Sequence, residues 1–84
     1  MHYVYVIQSQ KNKDLYFGCT SDLERRLEFH NNGESKSTKY GVPWVYIYTE
    51  GYRSKSDALK RESKLKHYGN ARTYIKKRLD KSLL

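Results

Sequence analysis

The chain has 84 residues, the length of one domain, and folding at this size buries only roughly two-thirds of the surface that the unfolded chain exposes. Its 17 lysines and arginines outnumber 9 acidic residues, and the net charge of +8 makes a polyanion the natural partner. No run approaches the ~20 apolar residues of a membrane span, and no charged-then-apolar leader begins the chain. Cys19 is the single cysteine, which excludes an internal disulfide and fits a reducing compartment. We therefore expect one soluble, cytoplasmic domain over residues 1–84, with no membrane partner.

Two runs rich in β-branched and aromatic residues open the chain, at positions 3–7 and 15–18, with a wholly polar stretch between them. This pattern predicts two antiparallel strands joined by a hairpin loop. Side chains alternate along a strand, and neither face of the first strand is polar, so we expect it in the middle of a sheet. Gly18 indicates a position where a side chain would crowd whatever approaches the backbone.

A helix is predicted next, from about position 22 to about Asn31. Ser21 and Glu24 have the spacing of a capping box, so we expect Ser21 to accept from a free amide of the first turn.

The buried face of this helix carries two charged or polar side chains. Leu23 and Leu27 define the apolar stripe, and Arg26 and His30 follow at spacings of three and four on that same stripe. A guanidinium and an imidazole that face inward must be paired or must open onto a cleft, since a charge buried alone costs several kcal/mol.

Residues 32–39 are polar, contain a glycine and show no periodicity, which predicts a mobile loop. Its Lys36 and Lys39 suit contact with phosphate, although an ordinary solvated connection explains each of them equally well. Pro43 can stand only at the start or the edge of a strand, and residues 44–49 then have the composition of a third strand. If that strand lies beside the first, the sheet is antiparallel with the order 2-1-3.

A second helix is expected to begin near Ser54 or Ser56 and to end at Gly69. Its inner face is predicted to comprise Ala58, Leu59, Glu62 and Leu65. Arg61 lies on the basic surface of this helix, which either binds nucleic acid or is an ordinary solvated surface. The spacing of apolar residues after position 70 allows a third helix. The predicted fold class is therefore α+β, a small three-stranded antiparallel sheet flanked by two or three helices.

Arg26, His30 and Glu62 interrupt apolar stripes where leucine would be more stabilising. A buried ion pair between the two helices is one explanation. A site for phosphodiester hydrolysis is the other, with Tyr5 and Tyr16 joining from the sheet. Glu62 supplies the oxygen ligand that Mg²⁺ or Mn²⁺ prefers, and the planar fork of Arg26 suits a phosphate.

Either phenol could serve as the base that activates water. Using a phenolate near pH 7 costs roughly 4 kcal/mol unless nearby cations lower the pKa of the tyrosine. Arg26, His30 and a metal ion are such cations. His30 can also accept the phenol proton or hold it by a hydrogen bond.

Four features in order resemble the GIY-YIG nuclease superfamily, most of all its small stand-alone bacterial members. The segments at positions 3–5 and 16–18 resemble the two halves of its motif, with Tyr5 and Tyr16 at the tyrosine positions, while residues 21–30 and 58–66 look like its two functional helices. The resemblance implies a tyrosine as general base, Arg26 as phosphate ligand and Glu62 as ligand of one divalent ion, Mg²⁺ or Mn²⁺. It places His30 at a variable position of the family. Of the two phenols we favour Tyr5 as the base, with Tyr16 orienting water or phosphate.

Two departures bear on turnover. Cys19 stands where some relatives have a basic residue, and a thiol cannot replace that charge. The only asparagine after Glu62 is Asn70, which comes early for the late asparagine of many relatives.

The sequence thus predicts a metal-dependent endonuclease of structured or damaged DNA, since no further domain is present to read sequence. Two other hypotheses remain open at this stage: a non-catalytic module that binds nucleic acid, and a basic interaction protein whose inward charges form only an ion pair. The residues do not separate DNA from RNA, and they do not fix the oligomeric state.

Overall fold

Three strands and two helices make up the part of the chain that the structure, a computed structural model, describes, residues 1–67. The strands are β1 His2–Ser9, β2 Leu15–Thr20 and β3 Trp44–Tyr52, and the helices are α1 Leu23–Asn31 and α2 Lys55–His67. A short 3-10 turn, Lys39–Gly41, lies between α1 and β3. The predicted helix after position 70 and the helix end at Gly69 lie outside the described residues.

The strands form one antiparallel sheet in the order β2-β1-β3, which confirms the predicted topology. Strand β1 is central and is buried from Val4 to Ser9, as its two apolar faces required. Its pairing with β3 shifts between Val6 and Ile7, where Val6 lies opposite Tyr48 and Ile7 opposite Tyr46. The extra β3 residue at this bulge sends the side chains of Tyr46 and Tyr48 to opposite faces of the sheet.

The two helices cover opposite faces of the sheet. Val4 and Val6 pack with Ala58 and Leu65 of α2 on one face. Tyr5, Ile7 and Trp44 form the core of the other face, against which Leu23 and Leu27 of α1 pack. The period-two alternation of β1 therefore decides which of its residues meets which helix.

Helix α1 begins one residue later than its predicted capping box requires. The N-cap is Asp22, whose Oδ1 accepts from the amide of Arg25 at 3.1 Å, so the expectation that Ser21 caps the helix is wrong. A carboxylate at this position also stabilises the positive end of the helix dipole.

The end of α1 is fastened to the start of β3 through one side chain. The Asn31 amide nitrogen donates to the Trp44 carbonyl at 3.0 Å, and its oxygen accepts from the Trp44 amide at 2.6 Å. Both backbone groups of a residue that is 4% exposed are satisfied in this way.

Asn31→Ala is expected to lower the free energy of unfolding by ~2 kcal/mol, because it leaves the amide and the carbonyl of Trp44 without partners. Urea denaturation measures the change. Asn32→Ala, one residue along and exposed, is the control and should stay within ~0.5 kcal/mol of wild type. An equal loss in both variants would contradict the role of the Asn31 side chain.

Helix α2 presents a narrower apolar face than its sequence predicts. Ala58 and Leu65 are buried, as expected, but Leu59 is 47% exposed, so its assignment to the inner face was wrong. Ala58 and Leu65 are seven positions apart, which is about two helical turns, so both side chains lie on the same side of α2. Leu59 is rotated by about 100° from that side. None of the helices within residues 1–67 is long and apolar enough to cross a membrane.

Candidate active site

The site is built around the hydroxyl of Tyr5. Tyr5 lies in central strand β1, is fully buried and faces α1. It pairs with Gly18 of the edge strand β2, and a Cβ at position 18 would overlap the ring and hydroxyl of Tyr5. Because position 18 is glycine, the Tyr5 ring can lie across β2, with its hydroxyl at the edge of the sheet. This confirms the prediction that a side chain at position 18 would crowd a neighbouring group.

Gly18→Ala is expected to displace the Tyr5 ring. The free energy of unfolding should fall by ~1 to 3 kcal/mol, and any cleavage activity should fall by ~10-fold or more. Gly51→Ala is a matched control in β3, because its Cβ would lie 3.4 Å from Tyr3 and 3.5 Å from Met1, which is ordinary contact. Thermal unfolding and turnover are measured on both variants, and a Gly18→Ala protein like wild type would contradict the assigned packing.

Two side chains of α1 meet the Tyr5 hydroxyl. The Nε2 of His30 lies 2.8 Å from the phenol oxygen, and the Nε–H of Arg26 donates to that oxygen at 3.3 Å. The inward stripe predicted for α1 is thus confirmed, and its two polar members converge on one tyrosine.

His30 is fully buried and neutral near pH 7. Burial and the nearby Arg26 charge lower its pKa to about 4. Its Nδ1 lies 2.8 Å from the hydroxyl oxygen of Thr38, and its ring meets the Tyr16 ring edge-on at 5.1 Å between centroids. The sequence-based expectation that His30 acts as a cation beside the phenol was wrong, because no carboxylate of residues 1–67 pairs with the imidazole at this depth.

The protein does not by itself create a phenolate at Tyr5. Burial raises the pKa of Tyr5, and the hydrogen bond and charge of Arg26 offset this only in part. Arg26 thus lowers the Tyr5 pKa, as the sequence predicted, but within residues 1–67 burial outweighs its effect. What the surroundings do supply is a neutral imidazole within hydrogen-bonding distance of the phenol, which suits proton acceptance.

Arg26 has a fixed end and a free end. Its Nε is held by Tyr5, and its guanidinium carbon lies 4.5 Å above the centroid of the Phe29 ring. The two Nη groups have no hydrogen-bond partner within the described chain. Arg26 also lines a cleft of about 620 Å³ at the start of α1, next to Arg25 and Phe29. A guanidinium held along one side and free along the other is suited to a bidentate grip on a phosphate.

Glu62 approaches the site from the opposite face of the sheet. Its carboxylate is paired with Lys66 of the same helix at 3.3 Å, and the Lys66 ammonium lies 5.9 Å from the centroid of the Tyr16 ring. Glu62 is near enough for its charge to contribute to the raised pKa of Tyr5. Residues of α2 thus come close to β2, the strand whose Gly18 packs against the ring and hydroxyl of Tyr5.

The ion-pair explanation is not what the structure contains. Within residues 1–67, Glu62 pairs with neither Arg26 nor His30, and its only ion-pair partner is Lys66. That lysine is 44% exposed and the pair is a local one of the helix surface, which stabilises by only a few tenths of a kcal/mol. The inward groups of α1 are satisfied by Tyr5 and Thr38 instead.

The donor set near Glu62 fits one hard divalent ion. The described residues contain no cluster of three His, Cys, Asp or Glu side chains that could enclose a metal, which disfavours a closed zinc-type site. Mg²⁺ needs one or two carboxylates, because it keeps several waters and takes further oxygens from a bound phosphate. A single, partly exposed carboxylate whose charge reaches Tyr5 meets that requirement.

The three residues predicted to bind nucleic acid make no hydrogen bond or ion pair with Tyr5, Arg26 or His30 within the described chain. Lys36 and Lys39 are exposed in the loop after α1, and Lys39 lies 4.9 Å from the centroid of the exposed Tyr40 ring. Arg61 has a structural partner, because its Nε donates to Glu50 at 2.9 Å and an Nη donates at 3.2 Å. Glu50 is also bound by Tyr48 and Tyr52, so Arg61 fastens α2 to β3.

Sequence analysis missed two residues of the site. Thr38 is 1% exposed although it lies in a polar, glycine-containing stretch, and nothing in the local pattern marks it. Tyr46 contacts the Tyr5 ring edge-on at 5.5 Å and donates its hydroxyl to the Leu23 carbonyl. Burial, with the Tyr5 charge second, raises the pKa of Tyr46 to about 12, so this third phenol is a wall of the site and a poor base. The bulge in β3, which no pattern predicted, turns Tyr46 to this face.

Comparison with known proteins shows the family of this chain. Residues 1–80 match the model of the GIY-YIG catalytic domain. The chain belongs to the GIY-YIG family. UPF0213 proteins of Staphylococcus saprophyticus and Staphylococcus haemolyticus are each 41% identical to it over 68 residues, which cover 80% of this chain and 82% of each relative. The solution NMR structure of a UPF0213 protein of Bacillus halodurans is 30% identical, with a TM-score of 0.54, and covers 87% of this chain and 78% of that chain.

Membership in the GIY-YIG family indicates the general type of function. The domain implies a nuclease-type activity on nucleic acid, and nucleases of this family generally use divalent metal ions. The predicted membership in the GIY-YIG family is confirmed, and so is the predicted three-stranded sheet flanked by helices. Roles for individual residues have to be argued from this chain's own geometry.

Proposed function

We propose that the protein is a metal-dependent endonuclease that hydrolyses phosphodiester bonds of structured or damaged DNA, acting as a single domain over residues 1–84. Tyr5 is the general base, His30 takes the proton of Tyr5, Arg26 binds the scissile phosphate and Glu62 binds one divalent ion. Tyr16 orients the water or the phosphate. Lys36, Lys39 and Arg61 are proposed to contribute to DNA binding, Arg61 with only the part of its guanidinium that Glu50 leaves free.

The observation that carries the proposal is the set of contacts at the Tyr5 hydroxyl. One buried phenol, at the edge of the sheet, meets a neutral imidazole at 2.8 Å and a guanidinium at 3.3 Å. A core tyrosine needs one hydrogen-bond partner, and leucine-type side chains would stabilise α1 better than a buried histidine and arginine. The convergence of these two side chains on one hydroxyl is what a proton-transfer site requires.

Each side chain has a defined task in hydrolysis. The free Nη groups of Arg26 hold the phosphate and balance the charge that grows on its oxygens. As a water oxygen forms its bond to phosphorus, a proton of that water passes to the Tyr5 oxygen and the proton of Tyr5 passes to Nε2 of His30. The bond from phosphorus to the leaving oxygen breaks, and that oxygen keeps the electron pair.

The charge on the bound phosphate also aids His30. Part of the lowering of the His30 pKa comes from the Arg26 charge, and a phosphate held by Arg26 cancels that charge. When bound at Glu62, a divalent ion supplies Lewis-acid stabilisation of the leaving oxygen. To hold that ion, Glu62 would give up its surface ion pair with Lys66, which would cost only a few tenths of a kcal/mol.

The decisive experiment is nicking of supercoiled plasmid by the purified full chain, with Mg²⁺ or Mn²⁺ and with EDTA. Branched, gapped and intact duplexes, and a matched RNA, then define the substrate class. We expect cleavage only with the divalent ion. Salt-sensitive binding without cleavage of any of these substrates would favour the non-catalytic module.

Arg26→Lys is expected to keep the fold and reduce turnover by ~10-fold or more, because a point charge reproduces neither the hydrogen bond to Tyr5 nor a two-pronged grip on phosphate. Single-turnover cleavage measures the change. Arg25→Lys, the exposed neighbour, is the matched control and should cleave like wild type. Near-wild-type turnover of Arg26→Lys would remove Arg26 from the site.

A further inference from the structure

Thr38 lies in the loop between α1 and β3, and several hydrogen bonds fix its position. Its carbonyl accepts from the indole Nε1 of Trp44 at 2.8 Å, and its amide donates to the Ser35 carbonyl at 3.2 Å. Its side chain is buried, and the hydroxyl oxygen lies 2.8 Å from Nδ1 of His30. The backbone of Thr38 is therefore anchored independently of its hydroxyl, which is aimed at the imidazole.

His30 lies between two hydroxyls, that of Thr38 at Nδ1 and that of Tyr5 at Nε2, each at 2.8 Å. A neutral imidazole has one nitrogen that donates and one that accepts. One hydroxyl must therefore donate to His30 and the other must accept from it. The choice decides whether His30 can take a proton from Tyr5.

The chemical difference between the two hydroxyls decides which of them donates to His30. A phenol, with an ordinary pKa of ~10, is a stronger donor than an aliphatic hydroxyl, which does not ionise in this range. The Tyr5 oxygen already accepts from Arg26 at 3.3 Å, whereas the Thr38 oxygen has both lone pairs available to His30. Tyr5 is thus the better donor to His30, and Thr38 is the better acceptor.

We infer that Thr38 is a positioning residue that accepts from Nδ1–H of His30, and so holds the imidazole in the tautomer whose bare Nε2 accepts from Tyr5. Only the consequence for cleavage rests on the proposed function, since the tautomer is a property of the free protein. Thr38 touches neither substrate nor metal in this scheme. Its effect on the reaction passes entirely through His30.

The first test is spectroscopic. Long-range ¹⁵N–¹H correlation spectra at pH 7 report which ring nitrogen of a histidine carries the proton, and His30→Gln identifies the signals among three histidines. We expect the Nδ1–H tautomer for His30 in wild type and in Thr38→Ser. In Thr38→Val, which keeps the shape and removes the hydroxyl, the Nε2–H tautomer should predominate. Ser37→Ala, an exposed neighbouring hydroxyl, is the control and should leave the spectrum unchanged.

Two results of this test overturn the inference: an Nε2–H tautomer in wild type, or an unchanged Nδ1–H tautomer in Thr38→Val. The wild-type spectrum decides the first point even if Thr38→Val does not fold. Thr38→Ser, which restores the hydroxyl in a smaller side chain, separates loss of the hydrogen bond from loss of packing.

The second test is kinetic. Single-turnover cleavage should fall by ~10-fold or more in Thr38→Val and stay within about two-fold in Thr38→Ser, with DNA affinity unchanged in both. If wild type has the Nδ1–H tautomer but never cleaves DNA, the positioning of His30 stands and the proposed function fails. If wild type cleaves and Thr38→Val cleaves equally well, the positioning role fails and the nuclease stands.

Discussion

Glu62→Gln is expected to abolish divalent-dependent cleavage of DNA while leaving the fold intact and the DNA affinity within a few-fold of wild type. A neutral amide is a poor ligand for a hard cation, and losing Lewis-acid stabilisation of several kcal/mol corresponds to ~10³-fold in rate. The substitution leaves the basic residues that we propose to bind the DNA backbone unchanged, so affinity and its salt dependence should persist.

The structure also predicts the stability of this variant. Glu62 pairs only with the exposed Lys66 within the described chain, so the substitution should change the free energy of unfolding by less than ~0.5 kcal/mol. Glu24→Gln, which removes an exposed carboxylate of α1 and leaves the overall charge the same as in Glu62→Gln, is the control. Cleavage, filter binding over a range of salt and urea denaturation are measured on all three proteins. A Glu62→Gln protein that unfolds, from a wild type that never cleaves, would make Glu62 a structural residue.

The fold was predictable because its strongest signals are local. Residues 3–7 are apolar on both faces, which placed them in the centre of the sheet and fixed the order 2-1-3. The errors arose where neighbouring positions compete. Ser21 and Asp22 are both good N-caps, and spacing alone does not choose between them. Ala58 and Leu59 both look apolar, and the phase of the helix on the sheet buries only the first.

The site was predictable in its residue types but not in its arrangement. The apolar stripes of the two helices identified Arg26, His30 and Glu62, and the resemblance placed Tyr5 and Tyr16 at the tyrosine positions of the motif. The sequence did not show that α1 and α2 cover opposite faces of the sheet. Because they do, Glu62 of α2 can approach the Tyr5 hydroxyl only around the β2 edge. The direction of each pKa shift also needed the structure, since a histidine beside a phenol is a base or a cation according to its burial.

Tyr5→Phe is expected to lower single-turnover cleavage by ~10²-fold or more, because it removes the hydroxyl that we propose takes the proton from water. Packing is conserved, so the variant should fold, with some loss of stability from the unpaired His30 and Arg26. Tyr3→Phe, on the same face of β1, is the matched control and should cleave like wild type. Tyr16→Phe should be milder than Tyr5→Phe, since its hydroxyl only orients.

The pH dependence of the wild-type rate then tests how Tyr5 acts. With a pKa of about 4, His30 is neutral above pH ~5.5 and able to accept the Tyr5 proton, so the rate should be level from there to pH 9 and fall as the pH drops through the pKa of His30. A rate that instead rises tenfold per pH unit up to pH 9 would mean that a phenolate is the base and that His30 is not the acceptor. The measurement must be made in single turnover, because slow product release flattens a profile for reasons unrelated to either group. If Tyr5→Phe cleaves like wild type in single turnover, Tyr5 is not the general base. If Tyr16→Phe loses more of the single-turnover rate than Tyr5→Phe, Tyr16 is the base instead.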